Sequence, residues 1–214
     1  MNPDFERARE YMLGRLEREL SPHLTYHSLC HTRDDVLPAV VRLGLKTDVD
    51  EESLLLLSTA ALFHDSGFLY TYNDHERESI GLASAVLPGF DYAPDQVDCI
   101  IGLIAATRMP QRPQSLLQQL ICDADLDVLG RDDFWNLNRK LLSELHYFTN
   151  PALGEEEWLQ GQARFLQEHE YFSPAAHALR DVGKARNLAL MRDALRSLNG
   201  SHANPTPAGE ADSY

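Results

Sequence analysis

The stretch from Leu54 to Phe63 (LLLLSTAALF) is apolar on nearly every side of a helix, and it runs straight into His64-Asp65-Ser66-Gly67. A helix without a polar face belongs in a protein interior. The segment is therefore the expected centre of the fold, and an imidazole and a carboxylate stand at its end. Buried there, both groups cost free energy unless they are hydrogen-bonded, paired or bound to a metal. A helix end that emerged at the surface would simply solvate them. A lone His-Asp dipeptide does not decide between these readings, so the other histidines and acids must.

The rest of the chain keeps a helical period. Phe5, Ala8, Met12, Leu16 and Leu20 form an apolar stripe over residues 3–20, stopped by Ser21-Pro22. A loop carrying Tyr26 to His31 follows, then a helix from about Thr32 to Leu45 with Asp34 and Asp35 near its positive end. Asp48 or Asp50 can cap the central helix. Further helices are expected at about 75–87, stopped by Pro88-Gly89, at 95–107, at 115–129, stopped by Gly130, and at 132–147, 155–169 and 174–198. No alternating β-branched run is long enough to read as a strand. The end of the chain, Gly200–Tyr214, is poor in apolar side chains and reads as a disordered tail. The expectation is an all-α protein with one domain over residues 1–199 and a tail over 200–214; 214 residues that are 43% apolar and 24% charged suit that reading.

Charge and composition exclude several functions. Nineteen Lys and Arg against 33 Asp and Glu give a net charge of −14, which argues against a nucleic-acid groove that neutralises phosphates. No apolar run approaches the roughly 20 residues needed to span a bilayer, and the start of the chain lacks a signal-peptide pattern, so no membrane role is expected. Three cysteines, Cys30, Cys99 and Cys122, without CxxC spacing, fit a reduced, cytoplasmic chain. GxGxxG, GxxxxGK[ST] and GxSxG are all missing.

Two further clusters bear on the His64-Asp65 pair. His27 and His31 are four residues apart and can both turn inward. In the segment Ile121 to Leu129, Asp123, Asp125 and Asp127 alternate with core-like residues. On a continuous helix Asp123 and Asp127 share a face while Asp125 lies nearly opposite, so one solvated face cannot hold all three. At least one carboxylate points inward and needs a cation. His31, His64, Asp65 and one of Asp123 or Asp125 supply two imidazoles and two carboxylates from three helices. That set suits a divalent ion such as Mn²⁺, Fe²⁺, Ni²⁺ or Zn²⁺, with positions left open for water. Such an ion acidifies water and neutralises charge on a phosphoryl oxygen.

The ordered residues His31, His64-Asp65 and Asp125 resemble the H…HD…D signature of the HD-domain superfamily of metal-dependent phosphohydrolases. Tyr26 to Thr32 (YHSLCHT) looks like the YHNxxH entry that cyclic-nucleotide phosphodiesterases share, and Ala60 to Gly67 (AALFHDSG) is similar to the family's AALFHDxG. The likeness extends through His75 to Ser79, Ile104 to Thr107 and Asp123 to Gly130, covering about residues 23–172.

The resemblance implies an HD-type helical bundle in which His31, His64, Asp65 and Asp125 hold the metal, with Asp123 as the fallback ligand. It also implies that Asp65 takes part in catalysis and that His27 protonates the leaving oxygen, although Ser28 stands where the phosphodiesterase branch has Asn. The metal is one of Mn, Fe, Ni, Co, Zn or Mg. One site is firm, and a second ion bridged by Asp65 would be held by His75 or Glu76, whose plain alternative is a helix start capped by Asn73 or Asp74.

Arg108, next to Thr107, is a candidate phosphate ligand, with Arg112 just beyond. Tyr70, Tyr72 and Tyr147 are candidates to line a base pocket. The expected function is hydrolysis of a phosphomonoester or phosphodiester of a small metabolite, with a nucleotide as the leading substrate. The alternative is a non-catalytic, metal-stabilised module that binds a nucleotide or a protein as a regulator. A homodimer formed through an outer helix is compatible with either.

Overall fold

The apolar segment forms α3, Glu51–Phe63, and every residue from Leu56 to Phe63 is buried. Asp50 starts the helix by accepting a 2.7 Å hydrogen bond from the Ser53 N–H. The structure, a computed structural model, describes residues 3–202. Helices α1 (Phe5–Glu19), α2 (Leu37–Lys46), α4 (His75–Val86), α5 (Pro94–Ala106) and α6 (Leu116–Asp125) pack around α3, while α7 (Phe134–Phe148), α8 (Glu155–Glu168) and α9 (Pro174–His202) form an outer group in which α8 packs on α9 and α9 on α2 and α6. One apolar core runs from Ala8 and Met12 through Leu57, Phe63, Ile100 and Ile121 to Met191. No strand occurs among the described residues. Helix α9 continues past the expected boundary at residue 198 as far as His202; the remaining residues expected as a tail, 203–214, lie outside the described part of the chain.

Two departures from the expected helices position the site. Helix begins earlier than the expected Thr32 start, at Leu29, and widens into a π-turn over His31–Val36, where the Leu37 N–H bonds the Thr32 carbonyl. Pro38 explains the widening: it has no N–H for the carbonyl of Asp34, and its ring would crowd that carbonyl in a regular α-helix. The π-turn leaves His31 facing the interior.

The helix expected over 115–129 ends instead at Asp125 and tightens into a 3₁₀ turn, Asp127–Gly130. Gly130 meets α9 so closely that a Cβ there would lie 2.5 Å from the Arg180 carbonyl oxygen. The break separates Asp125 from Asp127, so the three acids of this segment do not follow the helical facing drawn from sequence.

Gly67 makes a second close approach. A Cβ at this position would sit 1.8 Å from the His75 carbonyl oxygen, and the Gly67 N–H donates to Ser79 Oγ at 2.7 Å. Only glycine lets the turn after His64-Asp65 seat on the start of α4, which brings His75 beside Asp65.

Candidate metal centre

His64 follows the last residue of α3, and its Nδ1 lies 2.8 Å from the Ala61 carbonyl oxygen. A carbonyl only accepts, so Nδ1 carries a proton and Nε2 is the ring atom left for another partner. Nε2 faces Asp65 Oδ2 at 3.2 Å and Asp125 Oδ1 at 3.6 Å. From the π-turn, His31 Nε2 reaches the same two oxygens, at 3.6 Å for Asp65 and 3.4 Å for Asp125.

His31, His64 and Asp65 are all buried, with ligand atoms within 4.8 Å of one another. His31 Nε2, His64 Nε2 and Asp65 Oδ2 have no hydrogen-bond partner among the described residues. Buried polar atoms are nearly always partnered. Three orphans converging on one point, with Asp125 closing the set, are what a bound cation would satisfy, and two imidazole nitrogens with two carboxylates fit a divalent transition ion.

The local electrostatics agree. Burial pulls the His64 pKa down, but Asp65 and Asp125 outweigh it and raise the imidazole well above its ordinary value. Burial likewise pushes the carboxyls up, yet His64 holds Asp65 well below its usual range, and His31 and His64 bring Asp125 to about 2. The cluster demands positive charge.

The other two acids of the segment are satisfied by protein. Asp123 accepts the Phe172 N–H at 2.7 Å and the Ser173 N–H at 2.8 Å, at the entry to α9. Asp127 is gripped by Arg180 at 2.7 Å through two nitrogens and by Arg42 at 2.9 Å. Neither is turned to the histidines, and Asp125 is the acid of the three that meets His31 and His64.

His27 stands beside this cluster. Its Nδ1 lies 2.5 Å from Oε1 of Glu144, a carboxylate with a fully buried side chain. Glu144 also accepts the N–H groups of Tyr26 (2.9 Å) and His27 (3.0 Å) and the Tyr72 hydroxyl (3.1 Å). Burial raises the Glu144 pKa, but these donors, the His27 imidazole first, outweigh it and keep the group ionised. For His27, burial lowers the pKa and Glu144 more than restores it, so the net direction is up.

Sequence reasoning did not find Glu144. Its signal was a lone acid on the stripe Phe134, Leu137, Leu141, Phe148 of α7. Phe68 is the other residue it missed: the ring is stacked between His27, at 4.5 Å, and His75, at 3.9 Å, and holds both imidazoles in place.

His75 Nε2 lies 3.3 Å from Asp65 Oδ1 and 3.8 Å from Glu76 Oε1. Both side chains line a chamber of about 260 Å³ that opens from the cluster, together with His27, Asp65 and Asp125. Asp74 precedes α4 in a left-handed conformation and makes no cap through its side chain, which pairs with Arg108 Nη2 at 2.6 Å instead.

That ion pair corrects the expectation for Arg108. The guanidinium is 62% exposed on an outer cleft shared with Arg112 and does not line the chamber. Thr107 does line it, with its hydroxyl proton committed to the Ile104 carbonyl at 2.8 Å. The three tyrosines, candidates for a base pocket or for core and rim packing, do not line it either. Tyr70 and Tyr147 are exposed, and Tyr72 is held by Glu144 and stacked on Phe148.

No protein-family model matches the chain, and no curated protein matches it. Among solved structures, the crystal structure of a predicted HD superfamily hydrolase from an uncultured Thermotogales bacterium is similar over 93% of this chain and 94% of that one, with a TM-score of 0.55 and 19% identity. Identity at that level speaks for architecture alone: the two chains share an all-α fold over nearly their whole lengths.

Proposed function

We propose that the protein is a metal-dependent phosphohydrolase acting on a small phosphorylated metabolite, a nucleotide in the first instance, in the reducing cytoplasm. The observation that carries this reading is the convergence of three unpartnered buried ligand atoms, His31 Nε2, His64 Nε2 and Asp65 Oδ2, beside a chamber lined by Asp65, Asp125 and His27. His31, His64, Asp65 and Asp125 would hold the ion, and His75 and Glu76, beside Asp65, would hold a second one if the site takes two. A bound divalent cation supplies charge against a phosphoryl oxygen and makes water acidic enough to attack near neutral pH.

The chain's own groups do the rest. In the hydrolysis a water oxygen bonds to phosphorus while the ester P–O bond breaks. Asp65 orients that water, whose proton is released to solvent. His27, with Nδ1–H fixed on Glu144, presents Nε2 to the chamber and gives a proton to the departing oxygen. The Glu144 carboxylate raises the His27 pKa and favours the proton-bearing form that this role needs. A pure binding module has no need of an imidazole oriented by a buried carboxylate, and this pair favours catalysis over the regulatory alternative.

The test is phosphate release from nucleotides with added Mn²⁺, Ni²⁺, Co²⁺ or Mg²⁺, alongside metal analysis of the protein. His27→Ala should retain metal and lose about 10²-fold or more in kcat. Metal loss in that variant would make His27 a ligand instead. Absence of activity with every metal and nucleotide would favour the regulatory module.

A further inference from the structure

Away from the metal ligands the chamber changes character. Its wall is formed by Leu126, Val128, Leu129, Phe134, Leu141 and Phe165, and no lysine or arginine lines it. Such a wall accepts a neutral organic group and offers no counter-charge to a polyphosphate tail. Two polar side chains interrupt it, Asn138 on α7 and Gln162 on α8.

Their orientation follows from a relay. The Trp158 indole Nε1–H donates to Asn138 Oδ1 at 2.8 Å, and Asn138 Nδ2 donates to Gln162 Oε1 at 2.7 Å. An indole N–H has no acceptor capacity, so the amide oxygen of Asn138 must face it. The Asn138 amino group is then turned to Gln162, whose oxygen must receive it. With its oxygen occupied, Gln162 keeps its amino group as the free end, and it makes no hydrogen bond within the described protein. Trp158 and Asn138 are both buried, so water does not compete for the relay.

We propose that Gln162 is the specificity-determining residue of the chamber. Its carboxamide donates to a hydrogen-bond acceptor on the neutral, non-phosphate half of the ligand, such as a ring nitrogen or carbonyl of a heteroaromatic base. Trp158 and Asn138 are positioning residues that hold Gln162 as a donor. The inference rests on the phosphohydrolase reading for the identity of the ligand's other half, and its test is separable from that reading.

The probes are adenosine, guanosine, cytidine and uridine, titrated by calorimetry into metal-loaded protein, and their 5′-monophosphates in phosphate-release assays. Gln162→Glu keeps an acceptor for Asn138 and removes the donor; Gln162→Met removes both. Both variants should weaken the best-bound nucleoside about tenfold and raise KM for its monophosphate about as much, with kcat within about twofold. Trp158→Phe should narrow the spread of affinities among the four nucleosides. Nucleoside binding that is absent in the wild type, or equal in wild type and both Gln162 variants, overturns the proposal. So does a fall in kcat at unchanged KM. Gln162-dependent nucleoside binding without hydrolysis of any monophosphate would uphold Gln162 and defeat the phosphohydrolase reading.

Discussion

Asp125 and Asp127 are two residues apart, and both meet positively charged or proton-bearing groups, yet their surroundings differ in kind. At Asp127 the protein satisfies the carboxylate itself: Arg180 and Arg42 donate three hydrogen bonds of 2.7–2.9 Å to it, and the one atom left over there, Arg42 Nε, is a donor on a cation and no ligand for a metal. Around Asp125 the partners are His31 and His64 at 3.4 and 3.6 Å, and three nearby ligand atoms are left without partners. A closed ion pair is a fastening; a buried cluster whose ligand atoms stay open is a candidate binding site. The break of α6 after Asp125 puts the two on opposite sides of that distinction.

The sharpest way to break the comparison is Asp65→Ala, which removes one orphaned oxygen. The expected result is loss of stoichiometric metal by elemental analysis and a fall of about 10³-fold or more in kcat/KM, with the fold retained by circular dichroism. A variant with full metal and full activity would void the assignment.

Asp127→Ala should behave in the opposite way. It strands Arg180 and Arg42, so thermal or urea unfolding should show a loss of about 3 kcal/mol, while metal affinity per folded molecule stays unchanged. A matching loss of metal affinity would merge the two regions into one.

The smallest effect sharpens the idea of an orphaned atom. His169 Nε2 is also buried without a partner, but its neighbour is Lys184, whose ammonium is 3.5 Å from Nδ1. A cation beside the imidazole rules this corner out as a cation site. Burial, assisted by Lys184, lowers the His169 pKa to about 4. The folded value lies below the unfolded one of about 6.5, so the neutral ring contributes stability that is complete above pH about 6.5 and is lost as pH falls towards 4. Part of the ring is solvent-screened, so the loss should be about 1–2 kcal/mol. Urea melts at pH 7 and pH 4.5 should show it, and His169→Phe should reduce the pH dependence.

The fold and the ligands were legible in the sequence to different depths. An apolar α3 ending in His64-Asp65, and amphipathic α1, follow from spacing alone because burial of a stripe fixes a helix. Helix ends were less legible. Pro38 forces a π-turn through a local clash with the Asp34 carbonyl that apolar spacing does not register, and Gly130 turns tightly because Arg180 on α9, fifty residues on, packs against it. The resemblance named His31, His64, Asp65 and Asp125, and the structure brings these four together. Asp123 went to the N–H groups of Phe172 and Ser173, a pairing across 49 and 50 residues that no local pattern announces. Glu144 was invisible for the same reason, since its four donors come from Tyr26, His27 and Tyr72. Arg108 looked like a phosphate ligand because it follows Thr107, but Asp74 holds its side chain on the outer surface.

Anomalous diffraction from crystals grown with Mn²⁺, measured near the manganese edge, tests the central claim most directly. The account predicts a peak bounded by His31 Nε2, His64 Nε2, Asp65 Oδ2 and Asp125 Oδ1, which disappears in Asp65→Ala. A cluster that stays without anomalous signal while Mn²⁺ occupies another part of the molecule would contradict it.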